Sequence, residues 1–235
     1  MFCIGNSFRF LGICCSYFLL SSLLVLNADE NLIFITKAAE RYQKEKRELK
    51  NYRVKQEVTS KLKEPTGSVI EKRIQVGYFR SPEEFIFICK EIEINGMKQI
   101  LNKPLIERAS KTEWEWISKE GLQLHNFQIL STDSKLVKYM VSPKKIETGF
   151  FRGQIWIQPD TGKIIKIIKE PIIKKKEMMQ YFIELSFEKD YLFQVPSKTI
   201  LKAIYQVNNR TTEVEVEARL QDYQFNIDFT QEIPK

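Results

Sequence analysis

Alternation between apolar and polar residues governs most of this chain. The cleanest run sets Thr212, Val214, Val216, Ala218 and Leu220 against Thr211, Glu213, Glu215, Glu217 and Arg219. A period of two predicts a strand with one face buried and the other wet. Tyr223, Phe225, Ile227 and Phe229 continue the pattern beyond Asp222, and Tyr181, Ile183, Leu185 and Phe187 alternate with Phe182, Glu184, Ser186 and Glu188. Nearer the start, Val54, Gln56, Val58 and Leu62 oppose Lys55, Glu57, Thr59 and Lys61. In the next run Ile70, Ile74, Val76 and Tyr78 share a face. A strand over Glu83 to Ile94 ends at Asn95-Gly96, the dipeptide best suited to a two-residue hairpin turn. Phe127 to Leu130 and Leu136 to Val141 add two more strands.

The chain is organised around the segment Gly149 to Ile168. Gln154 to Gln158 and Lys163 to Ile168 are apolar-rich, and Pro159-Asp160-Thr161-Gly162 between them has turn chemistry, which predicts a hairpin. Two segments have helical spacing instead. Ile35, Ala38, Ala39, Tyr42 and Leu49 predict a helix over Asn31 to Lys50, with Asn31 as its cap. Leu105, Ile106, Ala109, Trp114 and Ile117 predict a second over Asn102 to Gly121, with Gly121 ending it. An open antiparallel sheet of about ten strands curls, and a curled sheet needs its interior filled. The expected fold is therefore α+β, a strongly curved antiparallel sheet wrapped around two helices.

The N-terminus stands apart from this pattern. Phe10 to Leu26 is almost wholly apolar, with Arg9 before it and Asn27-Ala28-Asp29-Glu30 after it. It is shorter than the ~20 residues of a membrane span, and Ala28 suits cleavage after position 28. Residues 1–28 read as a signal peptide and 29–235 as one domain, a retained N-terminal anchor being the alternative. Either way the rest of the chain leaves the cytoplasm. Three of the four cysteines fall in that leader, so Cys89 has no internal disulfide partner. A bridge-poor exported domain favours a bacterial periplasm over eukaryotic secretion. The Asn209-Arg210-Thr211 sequon is a match of a kind common by chance.

Little in the composition supports catalysis. His125 is the one histidine, which removes most metal sites and leaves any Ser-His-Asp triad dependent on it. A Cys89–His125 dyad competes with the simpler reading of two unrelated strand residues. Most carboxylates alternate on wet strand faces, and no glycine-rich phosphate loop is present. A non-enzyme without cofactor or metal is expected. The net charge of +7 is spread among interspersed Lys and Glu, which suits a solvated surface and a monomer rather than a nucleic-acid partner.

The residues also carry a family resemblance. Tyr52-Arg53-Val54-Lys55-Gln56-Glu57-Val58 opens the first strand. Val141-Ser142-Pro143-Lys144 precedes Gly153-Gln154-Ile155-Trp156-Ile157-Gln158-Pro159-Asp160-Thr161-Gly162-Lys163-Ile164, and Phe193-Gln194-Val195-Pro196-Ser197 and Tyr223 follow. With the exported N-terminus, this order resembles the outer-membrane lipoprotein-sorting (LolA/LolB-like) superfamily over most of the chain beyond the leader. Position 158 departs from the pattern, being Gln where Asp is frequent. The resemblance implies an unclosed β-barrel with helices over its mouth, an apolar cavity for the acyl chains of a lipid or lipoprotein, and a carrier or chaperone-like role in the periplasm. It supplies no cargo-handling residue. The positions expected to line the interior are Val54, Val58, Ile74, Val76, Tyr181, Ile183, Leu185, Val214 and Val216. The alternative is a non-catalytic envelope interaction or sensor module whose barrel its own side chains fill. Lys174, Lys175 and Lys176 lie at the tip of a second hairpin; they read either as a docking point for an anionic membrane surface or envelope protein, or as a solvated tip.

Overall fold

The structure, a computed structural model, describes residues 32–80, 84–110, 115–188, 190–208, 210–229 and 231–233. The expected leader and its cleavage point, the Asn31 cap, and Asn209 of the sequon lie outside them. Helix α1 covers residues 32–48. Strands β1 (Asn51–Glu64), β2 (Gly67–Arg80), β3 (Glu84–Ile94), β4 (Met97–Gln99) and β5 (Leu105–Ser110) follow. A 3-10 turn at Glu115–Ile117 and the short helix α2 (Lys119–Leu124) lead into the rest of the sheet. This comprises β6 (His125–Thr132), β7 (Val137–Pro143), β8 (Phe151–Ile157), β9 (Ile164–Pro171), β10 (Met178–Ser186), β11 (Lys198–Val207) and β12 (Arg210–Phe225).

All twelve strands join one sheet in the order β4-β3-β2-β1-β12-β11-β10-β9-β8-β7-β6, with β5 beside β3, and every pairing is antiparallel. Among the described residues no pairing joins β6 to β4 or β5, so the sheet is unclosed. Bulges interrupt the ladder between Arg53 and Lys55, between Ile74 and Gln75, and between Trp156 and Ile157. Each adds local twist. The turns follow their sequence: Asn95 and Gly96 both have positive φ, at 49° and 83°, the pair that a type I′ hairpin demands.

The expected second helix is corrected. Residues 105–110 are strand β5, which pairs with Glu84–Cys89 of β3, and Gly121 lies inside α2 rather than ending a longer helix. The free edge of β3 offers a ladder of backbone partners, and that outweighs the weak helical spacing of Leu105, Ile106 and Ile117. Ile117 is nonetheless buried in the core with α1, as the helix prediction required, and Trp116 joins it; Trp114 lies outside the described residues.

One core lies beneath α1. Ile35, Ala38 and Ala39 pack with Val137, Tyr139 and Val141 of β7, Ile155 and Ile157 of β8, and Ile164 and Ile167 of β9. The hairpin β8–β9 anchors the helix. Gly162 has φ of 67°, and a Cβ there would approach the Lys37 carbonyl to 3.0 Å. Lys37 Nζ donates to the carbonyls of Pro159, at 3.2 Å, and Asp160. Gln158, the departure from the family pattern, accepts a hydrogen bond from the Thr161 hydroxyl at 3.0 Å and so closes the same turn. Gly153 answers a tighter need: a Cβ there would lie 1.9 Å from the Ile168 carbonyl oxygen.

The far face of the sheet carries ions. Lys63 pairs with Glu213, Lys61 and Lys202 both reach Glu215, Lys198 pairs with Glu217, and Lys166 with Glu184. Trp156 lies between Lys138 and Lys166, whose amines stand 5.0 and 5.7 Å from its ring. A second core also forms on that face, where residues beyond β12 fold back. Phe229 is buried against Val76, Tyr78, Ile86 and Ile88, with Ile227 and Ile233 beside it.

Gly153→Ala is expected to lower the free energy of unfolding by about 3 kcal/mol or more in urea titration, because backbone must move. Gly96→Ala meets open space and should cost about 1 kcal/mol, the strain of its positive φ. Equal costs would remove the close approach from the account. The hydrogen bond from Lys202 holds the Glu215 carboxyl below the usual carboxylate range. A depressed carboxylate pKa adds stability above its unfolded value, lost as pH falls through the folded one. Lys202→Met should therefore lower the melting temperature at pH 7 and leave it unchanged at pH 2.

Candidate functional site

Residues paired across strands share a face, so the register can be followed in rows from the core under α1 to the opposite end of the sheet. One row runs Tyr139, Ile155, Ile167, Leu185, Thr199, Ala218, Val58, Arg73 and Ile92. The next runs Val141, Gly153, Lys169, Ile183, Leu201, Val216, Ser60, Glu71, Ile94 and Met97. A third joins Tyr181, Ala203, Val214, Leu62 and Val69. Burial falls away along the first two rows, while in the third Ala203 stays buried at 1% between half-buried Tyr181 and Val214. Tyr139 and Ile155 are wholly buried, Leu185 to Arg73 are half-buried, and at the far end Met97 is 67% exposed.

The result is an apolar field left half open over β10, β11, β12 and β1. It holds Ile183, Leu201, Val216, Val214, Leu62 and Val58. Its charged border lies on β2. There Arg73 Nε meets Glu71 at 2.5 Å and Nη1 meets Glu107 of β5 at 2.9 Å. Burial lowers the Arg73 pKa, but the hydrogen bonds it donates to the two carboxylates, with their charges, outweigh it, so the guanidinium stays charged. Deeper on the same face, buried Gln75 donates to Gln56 at 2.8 Å.

The register brings together most of the residues expected from sequence. Val54, Val58, Tyr181, Ile183, Leu185, Val214 and Val216 share the helix face. Ile74 and Val76 do not, and this corrects the expectation. Val58 pairs with Arg73, which puts Ile74 on the far face, and Val76 belongs to the second core against Phe229. Val54 is also core rather than groove, at 1% exposure. Leu62, Leu201 and the Arg73 cluster were missed as site residues. Strand β11 gives no clear alternation, because Ile200 and Ile204 on its far face are as apolar as Leu201 and Ala203.

The segment between β10 and β11 ties α1 down at one end of the field. Gln194 donates its backbone N–H to Glu45 at 2.6 Å and its side-chain amide to the Ile164 carbonyl at 2.9 Å. The Tyr223 hydroxyl donates to the Pro196 carbonyl at 2.8 Å, so two pieces of the family pattern meet. Burial holds the Tyr223 phenol well above its ordinary pKa. Rings of Phe85, Phe79, Tyr52, Tyr223 and Tyr191 follow one another at centroid distances of 4.8 to 5.4 Å, and Phe193 packs on Phe225.

Cys89 and His125 have separate surroundings, on strands at opposite ends of the sheet order. The Cys89 thiol lies 3.4 Å from the Glu91 carbonyl, and burial pushes its pKa up. His125 is buried between Trp116 and Phe150, with Nδ1 2.9 Å from the Gly121 carbonyl, a donor in the tautomer protonated there. Among the described residues no cluster of His, Cys, Asp or Glu could hold a metal ion, and no helix is long and apolar enough to cross a membrane. Lys174 is paired with Glu170 at 3.3 Å, while Lys175 and Lys176 are exposed beside it.

No family model matches the sequence, and no curated protein matches it. Solved structures do. A LolA superfamily protein from Nitrosomonas europaea is similar at a TM-score of 0.41 and 10% identity, over 87% of this chain and 97% of that one. An outer membrane lipoprotein-sorting protein domain from Vibrio parahaemolyticus is similar at 0.43 and 12%, over 82% and 94%. The MucA/MucB complex of Pseudomonas aeruginosa supplies a chain similar at 0.23 and 6%, over 83% and 99%. The first two carry the name that the motif resemblance pointed to.

An open field and a core respond differently to the same truncation. Val137→Ala, at a wholly buried site, should cost about 2–3 kcal/mol in urea titration. Val216→Ala should cost under ~1 kcal/mol, since solvent already reaches it. Equal losses would mean that Val216 is ordinary core.

Proposed function

We propose that this chain is a non-catalytic carrier of the cell envelope that holds an apolar chain of a lipid or lipoprotein against the helix face of β10, β11, β12 and β1. The observation that carries the reading is the half-open row Ile183, Leu201, Val216 with Val214 and Leu62, bordered by Arg73, Glu71 and Glu107. From β10 to β2 this field is about 19 Å wide at ~4.8 Å per strand, enough to lie along an extended acyl chain. Covering it would remove solvent from several aliphatic side chains at ~0.8 kcal/mol per methylene buried. The ion pairs at its border suit the polar end of an amphiphile. Residues 1–28 act as the export signal, and the periplasm is the compartment.

Binding of a fluorescent long-chain fatty acid tests the reading. Wild-type protein should bind it saturably, and native mass spectrometry should find acyl-bearing adducts on protein purified from cells. Val216→Asp places a carboxylate in the field and should weaken binding at least about tenfold. Glu215→Gln, on the far face, should leave it unchanged. Absence of binding by the wild type, or equal effects of the two changes, would favour an envelope interaction module with a self-filled interior.

A further inference from the structure

The two loops at the β7–β8 and β9–β10 connections form one surface. Phe151 of β8 pairs with Pro171 of β9, and Ile172 donates its N–H to the Phe150 carbonyl at 3.0 Å, so the bases of both loops are held together. The Lys144 N–H bonds the Leu124 carbonyl at 2.8 Å, and Met178 bonds Lys175 at 2.9 Å, which fixes the outer limbs. Lys144, Lys145 and Ile146 rise on one side; Ile173, Lys174, Lys175 and Lys176 rise on the other. Ile146 is 77% exposed and Ile173 is 46% exposed. Glu147 and Glu177 also stand on these loops, and Glu170 is engaged by Arg152 and Lys174. Lysines remain in excess.

We infer that this paired tip docks on an anionic lipid surface, with the four lysines Lys144, Lys145, Lys175 and Lys176 at headgroup level and Ile146 and Ile173 inserted between headgroups. Charge complementarity selects the occupant. Lysines are compact, strongly hydrated charges on flexible stems, suited to a fluid anionic surface, whereas a folded acidic partner is matched better by forked guanidinium groups. The one arginine at this tip, Arg152, is already bound to Glu170 at 2.9 Å. Two exposed isoleucines on separate loops offer a partner protein no packed patch, but they fit the shallow depth of a lipid interface. The tip lies at the sheet end where Tyr205 pairs with Met178 and Thr212, the same end towards which the half-open field runs through Val214 and Leu62. Docking would therefore turn that field towards the bilayer. The surface stands on its own residues and holds whether or not the field carries a lipid.

Sedimentation with vesicles tests it. The wild type should bind vesicles of phosphatidylcholine and phosphatidylglycerol at low salt, ignore pure phosphatidylcholine, and weaken as salt rises, since a Debye length is ~8 Å at physiological ionic strength. Each lysine near the leaflet contributes about fivefold. The variant with Lys144→Gln, Lys145→Gln, Lys175→Gln and Lys176→Gln should lose at least about tenfold and most of its salt dependence. Ile146→Ser with Ile173→Ser should reduce binding while keeping the salt dependence. Both variants should retain wild-type melting temperature and fatty-acid binding, which separates failure at this tip from failure of the carrier reading. No wild-type binding at low salt, equal binding to neutral vesicles, or insensitivity to either set of changes would overturn the inference.

Discussion

One helix cannot cover this sheet. Residues 32–48 make a rod about 25 Å long at 1.5 Å per residue, while the strand path from β4 to β6 spans about 48 Å at ~4.8 Å per strand. The sheet resolves the mismatch in three ways. Under α1 it builds a dry core of Ile, Val and Tyr139, whose phenol burial pushes up to about 12. On the far face of β2 and β3, Phe229 and its neighbours cover Val76, Tyr78, Ile86 and Ile88, while Phe79, Phe85 and Phe87 stay on the helix face beside Tyr52. Between these regions the helix face stays apolar but half-buried, and that leftover strip is the candidate site.

The helix must also be held in place, because a short rod on a wide sheet has several possible seats. Lys37 is tied to the β8–β9 turn, Glu45 to Gln194, and the carbonyl of Glu48 to the Asn226 amide at 3.1 Å. Asn226 has φ of 53° and also accepts from the Lys50 N–H at 2.8 Å, so a residue from the far end of the chain caps the helix exit. Two of these fasteners, the β8–β9 turn and Gln194, lie in segments that carried the family resemblance; Asn226 does not. The motif around Gly153 and Gly162, the Gln194 segment and Tyr223 all have structural employment. They specify an architecture, and of the residues in the field Val58 alone belongs to the pattern.

Much of this was legible from alternation and turn chemistry. The Asn95-Gly96 and Pro159–Gly162 hairpins, the helix at Ile35 to Tyr42, and the faces of Val214 to Leu220 were all readable, since each depends on neighbours in sequence. What failed depended on distant partners. Leu105 and Ile106 took strand geometry because β3 had an open edge, which their own spacing cannot report. Ile74 and Val76 were assigned to the site because β2 alternates cleanly. Alternation reveals that two faces differ, but not which one meets the helix. That choice was made by Phe229, more than 150 residues downstream. Strand β11 was ambiguous for another reason, being apolar on both sides.

The pairing of β1 with β12 has a consequence for how the molecule is made. Tyr52 faces Phe225 across that ladder, at the middle of the strand order, so the seam that unites β1–β5 with β6–β12 joins the two ends of the described chain. Each half is a run of successive neighbours that can zip locally as it emerges. Their union must await the final strand, and such long-range closure is slow. Until then β1 presents an unpaired edge of 14 residues, the kind of edge that invites association with other chains. Lys55, Glu57, Lys61, Lys63 and Glu64 along β1 keep that waiting edge charged, a safeguard for the period before the sheet becomes whole.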